Sequence, residues 1–286
     1  MINAQNWLNN TIPLAYRSHI KQLVICSSVQ SAEAQHSQFL HFEDRYERNG
    51  GTRTYYLDAN SELLSGTLNL SDFTQLKILI INDQWIDNLI LTNCNGLKTL
   101  NLRNNLLQTI TFPQIAPQLQ QIALENNNFL AQDLLPFATF TNLAYLGLGT
   151  NCQDSIRYNI YNRFTGSLGH LQDLTKLKGL NINATDINSG LEYLPTRNLV
   201  WFLFGNLGRV GAGVDQIGTE LINSGHLELD PNQTIEEWAL DEDISQYLNK
   251  VAIIERYQRW KFRQNRQQQL TNQIEINNNQ NTYGNN

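Results

Sequence analysis

Cysteine, long apolar runs and charge are all scarce in this 286-residue chain, and each scarcity removes a class of protein. Three cysteines, Cys26, Cys94 and Cys152, are odd in number and far apart, which leaves no disulfide framework and no zinc-binding spacing. Only 16% of residues are charged, and 26 acidic against 20 basic side chains give a net charge of −6. That balance argues against a general attraction to nucleic acid or to an anionic membrane. No apolar stretch reaches the roughly 20 residues of a membrane-spanning helix. The start, Met1 to Pro13, has no basic segment leading into an apolar one, so no secretory signal is expected. Together these features point to a soluble, cytoplasmic protein of a reducing compartment. Asn9-Asn10-Thr11 and Asn183-Ala184-Thr185 read as chance sequons in an Asn-rich chain.

What the chain does have is leucine at fixed spacing, closed by asparagine. Leu97, Leu100, Leu102 and Asn105 set a pattern Leu-x-x-Leu-x-Leu-x-x-Asn. Leu119, Ile122, Leu124 and Asn127 repeat it, as do Leu143, Leu146, Leu148 and Asn151, with starts 22 and 24 residues apart. Weaker copies are Ile20, Leu23 and Ile25; Leu76, Leu79 and Ile81; Leu177, Leu180, Ile182 and Thr185; and Leu199, Phe202 and Phe204. A period of this size with apolar residues at positions 1, 4 and 6 and an amide at position 9 is the signature of leucine-rich repeats. The expected fold is an α/β-type solenoid, a curved leucine-rich-repeat array with a parallel β-sheet on its concave face, an N-terminal helical cap and a C-terminal helix. Each unit packs on its neighbours alone.

The interruptions mark the organisation. Residues 1–28 read as the cap, a short helix over Ala4 to Asn10 with Trp7 and Leu8 as contacts and Pro13 as a stop, followed by the first strand. Residues 29–63 lose the pattern and form an insertion, charged around Glu43 to Arg48, turning at Gly50-Gly51 and strand-like from Thr52 to Leu57. The array with its end cap spans 64–229, and about a dozen extra residues near Cys152 to Phe164 form a loop. Residues 230–276 read as a helix opened by Asp230-Pro231, with Ile244, Leu248, Val251 and Ile254 as its stripe. The tail, 277–286, is expected to be disordered. A second self-similarity supports the register: Leu64-Ser65-Gly66-Thr67-Leu68 before Leu76 matches Phe164-Thr165-Gly166-Ser167-Leu168 before Leu177.

Side chains alternate across a strand, so positions 4 and 6 point into the core while 3, 5 and 7 point out. The outward residues are Ile78, Ile80 and Asn82; Thr99, Asn101 and Arg103; Gln121, Ala123 and Glu125; Tyr145, Gly147 and Gly149; Gly179, Asn181 and Asn183; Trp201, Leu203 and Gly205. From this grid the expected partner contacts are Thr99, Asn101, Arg103, Gln121, Glu125, Tyr145, Asn181, Asn183 and Trp201. Arg103 and Glu125 also stand where they can pair across adjacent strands. The position 9 amides form a ladder through the core, and Gln84, Thr185 and Leu207 at that position show it degrading toward both ends. The apolar ends of the grid, Ile78 with Ile80 and Trp201 with Leu203, are read as covered, the first by the insertion and the second by the segment after Gly205.

Other constellations are weak. Gly208, Gly211, Gly213 and Gly218 crowd one stretch, but Gln216 stands where a dinucleotide fingerprint needs glycine and Thr219 where a phosphate loop needs lysine. His36, His41 and Glu43 read as a solvated loop rather than metal ligands, and no cofactor or metal is expected. Cys94 reads as a small packing residue, and Cys26, at outward position 7, as the more reactive thiol. The terminal helix is acidic from Glu236 to Asp243 and basic from Lys250 to Arg266, which complements its dipole.

The stretches Ile160-Tyr161-Asn162-Arg163-Phe164-Thr165-Gly166-Ser167-Leu168 and Thr185-Asp186-Ile187-Asn188-Ser189-Gly190-Leu191, with Ala4-Gln5-Asn6-Trp7-Leu8, resemble the large fungal set of cytoplasmic leucine-rich-repeat proteins over roughly 4–28 and 64–205. The resemblance implies an interaction module. The expected function is non-enzymatic binding of a protein partner on the concave face. The alternative is an adaptor that docks a larger assembly, or nucleic acid, through the charged terminal helix.

Overall fold

The computed structural model describes residues 1–26, 52–56, 63–240 and 244–283; of these, 52–56, 244–248, 270 and 273–283 are described in backbone alone. Repeat positions 3 to 5 form short parallel strands, as the alternation requires. They stack into one long sheet in the order Trp201–Leu203, Gly179–Asn181, Tyr145–Gly147, Gln121–Ala123, Thr99–Asn101, Ile78–Ile81, Gln22–Cys26 and Thr52–Tyr56. The register is that of the repeat: Leu79, Leu100, Ile122, Leu146, Leu180 and Phe202 follow one another across the sheet. All are buried to within 1% of complete. The last strand in this order comes from the expected insertion, which adds Thr52–Tyr56 beyond the first repeat strand.

A second layer closes the other side of the core. Its N-terminal half is a parallel sheet of Ile2–Asn3, Leu64–Asn69, Trp85–Ile90 and Thr109–Thr111. Farther along, this layer is built of 3-10 turns at Leu135–Phe137, Leu168–Leu171 and Leu191–Tyr193, and a two-stranded sheet pairs Thr165–Ser167 with Asp186–Ser189. Phe129, Phe137 and Phe164 pack edge and face between the layers, with ring centroids 5.1 and 5.7 Å apart. The two self-similar segments share one backbone device. Gly66 and Gly166 have φ of +82° and +85°, a region that favours glycine, and in each the strand register shifts at the next residue.

The first helix, Ala4–Thr11, is capped by Asn3, whose side chain accepts the Asn6 N–H at 2.9 Å, and it buries Ala4 and Leu8. Trp7 packs partly buried against the same core. At the helix end Arg17 donates to the carbonyls of Ile12 and Leu8 and pairs with Asp72 at 3.2 Å. The far end of the array is closed by helices Val214–Asn223, Ile235–Leu240 and Ile244–Tyr283. The helix expected from residue 230 begins at Ile235 because Thr234 and Glu237 cap each other there, Glu237 N to Thr234 Oγ1 at 3.1 Å and Thr234 N to Glu237 Oε2 at 2.7 Å; between Leu240 and Ile244 lie residues outside the described ones. The last helix continues past Ile276 to Tyr283, into the segment expected to be a disordered tail. It packs through Ile253, Ile254 and Tyr257, while Gln258 Nε2 donates to Leu191 O and Leu194 O at 2.9 and 2.8 Å. Ile254 and Val251 belong to the expected stripe; the side chains of Ile244 and Leu248 lie outside the described residues.

The core amide ladder is present and differs from expectation in one rung. Asn105 Nδ2 donates to Ile81 O and Leu102 O, and Asn127 Nδ2 to Leu102 O and Leu124 O. The next rung is Asn162, not Asn151: its Nδ2 donates to Leu124 O and Leu148 O, both at 2.8 Å. The excursion that contains the helix Gln153–Arg157 thus enters between positions 8 and 9, and the chain returns to the core at Asn162, anchored by its N–H to Thr150 Oγ1 at 3.0 Å. Gln84 also keeps its rung, accepting Leu64 N–H at 3.0 Å.

Candidate functional site

The exposed side of the long sheet is set by what its glycines allow. A Cβ on Gly147 would occupy the space of the Glu125 carboxylate, and one on Gly179 would touch the rings of Tyr145 and Trp201 at 3.0 and 3.1 Å. The absence of side chains there lets Glu125 lie flat over the sheet and brings Tyr145 and Trp201 to 5.6 Å between centroids. Glu125 is bound at two points by Arg103, Nε to Oε2 at 2.9 Å and Nη2 to Oε1 at 2.6 Å. Tyr145 Oη bridges both, accepting from Arg103 Nη2 at 2.9 Å and donating to Glu125 Oε1. Burial and then the Glu125 charge hold the Tyr145 phenol well above its usual pKa. Burial alone would lower the Arg103 guanidinium, but the carboxylate outweighs it and the group stays charged. The cluster is internally neutralised.

The remaining expected contacts are close together but differ in access. Thr99 Oγ1 lies 3.4 Å from Gln121 Oε1, and Asn101 Oδ1 accepts Arg103 N–H at 3.4 Å. Asn183 Oδ1 accepts Gly205 N–H at 2.8 Å, and Asn181 Oδ1 accepts Asn183 N–H at 2.9 Å. Asn101, Gln121, Glu125, Asn181 and Asn183 are buried, whereas Thr99, Arg103, Tyr145 and Trp201 are half-buried.

Along the C-terminal edge of the strands runs a second polar row, Asp83, Asn104 and Asn126 at repeat position 8 continued by Asn151, which the outward-position argument did not include. Asn104 Nδ2 donates to Asp83 Oδ1 at 2.7 Å, and Asn126 Nδ2 to Asn104 Oδ1 at 2.8 Å. Asn126 Oδ1 accepts the backbone N–H groups of Asn151 and Cys152, and Asn151 Oδ1 accepts from Asn181 and Asn183 at 3.3 and 2.9 Å. Asp83, Asn104 and Asn126 all have φ near +58°, a conformation that Asn and Asp tolerate better than other side chains. The doublets Asn104-Asn105 and Asn126-Asn127 carried this signal in the sequence. Between this row and the end of the array lies a cavity of about 590 Å³. One wall is polar, Arg103, Asn104, Asn126 and Asn151; the other is Trp201, Leu203, Leu207 and Leu240.

Both apolar ends of the grid are accounted for in part. Ile78 and Ile80 are 9% and 4% exposed, in a cluster with Val24 and Cys26, while the insertion expected to cover them lies outside the described residues apart from its strand. At the other end the helix Ile235–Leu240 packs on Trp201–Leu203, and Leu203 is buried. Glu236 accepts the N–H groups of Asn206 and Leu207 at 2.7 and 2.6 Å.

The thiols reverse one expectation. Cys26 is fully buried and its pKa is pushed up to about 12 by burial first and the Asp83 charge second, so it is not a reactive group. Cys94 is equally buried, donates to Leu70 O at 3.3 Å and also rises to about 12. Cys152 is partly exposed and its pKa is lowered, chiefly by the Ser155 hydroxyl. Among the described residues no group of three His, Cys, Asp or Glu side chains is placed to hold a metal, and no helix is long and apolar enough to cross a membrane. His36, His41 and Glu43 lie outside the described residues.

Stacked parallel strands in repeat register, a buried aliphatic spine and an amide ladder define the class: this is a leucine-rich-repeat solenoid. Among solved structures it is similar to an internalin (InlF) from Listeria monocytogenes, with 15% identity over 56% of this chain and a TM-score of 0.31, the match spanning 58% of that chain. It is also similar to the LRIM1 leucine-rich repeat domain, with 14% identity, 80% of this chain and 84% of that one covered, and a TM-score of 0.35. The sequence matches no family model and no curated protein.

Proposed function

We propose that the chain is a non-enzymatic protein-interaction module that binds its partner on the concave face, across the long sheet. The observation that carries this is the cavity on that face, with a polar and an apolar wall and an internally neutralised charge cluster at its floor. A wall of that mixed character suits a folded or peptide partner better than a small charged substrate. Of the expected contacts, Thr99, Arg103, Tyr145 and Trp201 have the access to touch a partner; Asn101, Gln121, Glu125, Asn181 and Asn183 support them from beneath.

A second reading is favoured by one feature. Within the terminal helix Phe262 to Gln269, Thr271 and Asn272 are all exposed, which leaves this part of the helix free to dock elsewhere. Affinity purification with mass spectrometry identifies a partner, and two variants then separate the readings. Thr99→Arg is expected to abolish capture, while Arg263→Glu with Arg266→Glu leaves it intact. The opposite result assigns binding to the helix.

A further inference from the structure

We infer that the cavity recognises a peptide segment of the partner by its main-chain carbonyl oxygens and one large apolar side chain, without selecting for charge. This rests on the concave-face reading and names the chemistry of what is bound there. The argument is a count of hydrogens. A side-chain amide brings two N–H hydrogens and one oxygen with two lone pairs. In the row Asn104, Asn126 and Asn151, both lone pairs of Asn126 Oδ1 and both of Asn151 Oδ1 are filled from within the protein. The nitrogens are not used up: Asn104 and Asn126 each spend one hydrogen on a neighbour, and Asn151 Nδ2 makes no hydrogen bond among the described residues.

The polar wall therefore offers donors and has few acceptors left. A saccharide would place hydroxyl hydrogens against a row that keeps a single open lone pair, on Asn104 Oδ1. A chain of unpaired peptide carbonyls would meet donors. Charge does not enter, because the Arg103 guanidinium is held at two points by Glu125. The opposite wall supplies the anchor site: the half-buried Trp201 ring, with Leu207 and Leu240 partly exposed beside it, forms an apolar corner at the end of the amide row. Aromatic or aliphatic anchors in such corners dominate peptide affinity.

The test uses the intact chain and a displayed library of short random peptides, with binding of a selected peptide measured by titration. The expected outcome is enrichment of sequences sharing one large apolar residue and no common charge. Asn151→Asp exchanges the donor nitrogen for an acceptor while keeping the oxygen that Asn181 and Asn183 use, so it preserves the fold. It is expected to weaken the peptide at least about tenfold, about 1.4 kcal/mol. Trp201→Ala removes the anchor wall and is expected to do the same. Selected peptides that bind Asn151→Asp and Trp201→Ala as well as wild type overturn the inference, as does a failure to enrich any peptide. Neutral saccharides that bind wild type, and bind Asn151→Asp no more weakly, overturn it in favour of a glycan. If Thr99→Arg abolishes partner capture but Asn151→Asp and Trp201→Ala do not, the face reading stands and this one falls.

Discussion

The amide of Asn162 holds three backbone groups at once, the carbonyls of Leu124 and Leu148 and the N–H of Phe129. Asn162→Ala strands these in a core from which water is excluded, and the expected loss is about 2 to 4 kcal/mol, read as a lower denaturant midpoint. Asn151→Ala removes the oxygen that Asn181 and Asn183 share at the partly open edge of the sheet, and is expected to cost less, about 1 to 2 kcal/mol. The ladder at Asn105 and Asn127 was legible because position 9 falls at a fixed distance from the leucines. Asn162 was not, since spacing does not encode where the chain re-enters the core after an excursion. Cys26 failed for a related reason: alternation assigns a face, and whether that face is covered is a tertiary property. Its consequence is chemical. Alkylation of the native protein at neutral pH, followed by peptide mass spectrometry, is expected to modify Cys152 well before Cys26 or Cys94.

Among elements, the terminal helix is the most uneven. Ile254 is fully buried and Phe262 is 69% exposed, two turns apart on one continuous helix. Ile254→Ala is expected to cost about 2 to 5 kcal/mol, and Phe262→Ala less than about 0.5 kcal/mol, both measured by chemical denaturation. The stripe that packs was readable from helical spacing. The start at Ile235 was not, because nothing in the spacing sets the capping pair Thr234 and Glu237 apart from the acidic run around it. Position 8 is a case where the signal was present and the geometric model of the strand passed over it. Outward positions were counted only to 7, yet the left-handed conformation at 83, 104 and 126 puts the side chains of those same residues in a row along the sheet edge.

For the whole molecule, pH acts through the buried thiols. The folded state raises Cys26 and Cys94 from 9.0 to about 12, so it holds protons that the unfolded chain gives up above pH about 9. Their contribution to stability is complete below that value and declines as pH climbs toward about 12. A denaturation series across this window is expected to show the fall, and Cys94→Ala to lessen it. The repeat architecture was legible from the sequence because each unit restates the same three aliphatic positions; that its ends are covered was legible from apolar outward positions, but the contacts that cover them were not, because end caps are unique and restate nothing.

That closure bears on how copies of the protein can meet. A stack of parallel strands is open at both ends, and the last strand can template another copy head to tail, which generates a filament rather than a closed ring. Here the helix Ile235–Leu240 packs on Trp201–Leu203, with Glu236 bound to the N–H groups of Asn206 and Leu207 just beyond the strand and Leu240 seated against Gly205. Glu236→Ala loosens the anchor of this helix without touching the aliphatic spine, and light scattering is expected to report more concentration-dependent association than in wild type.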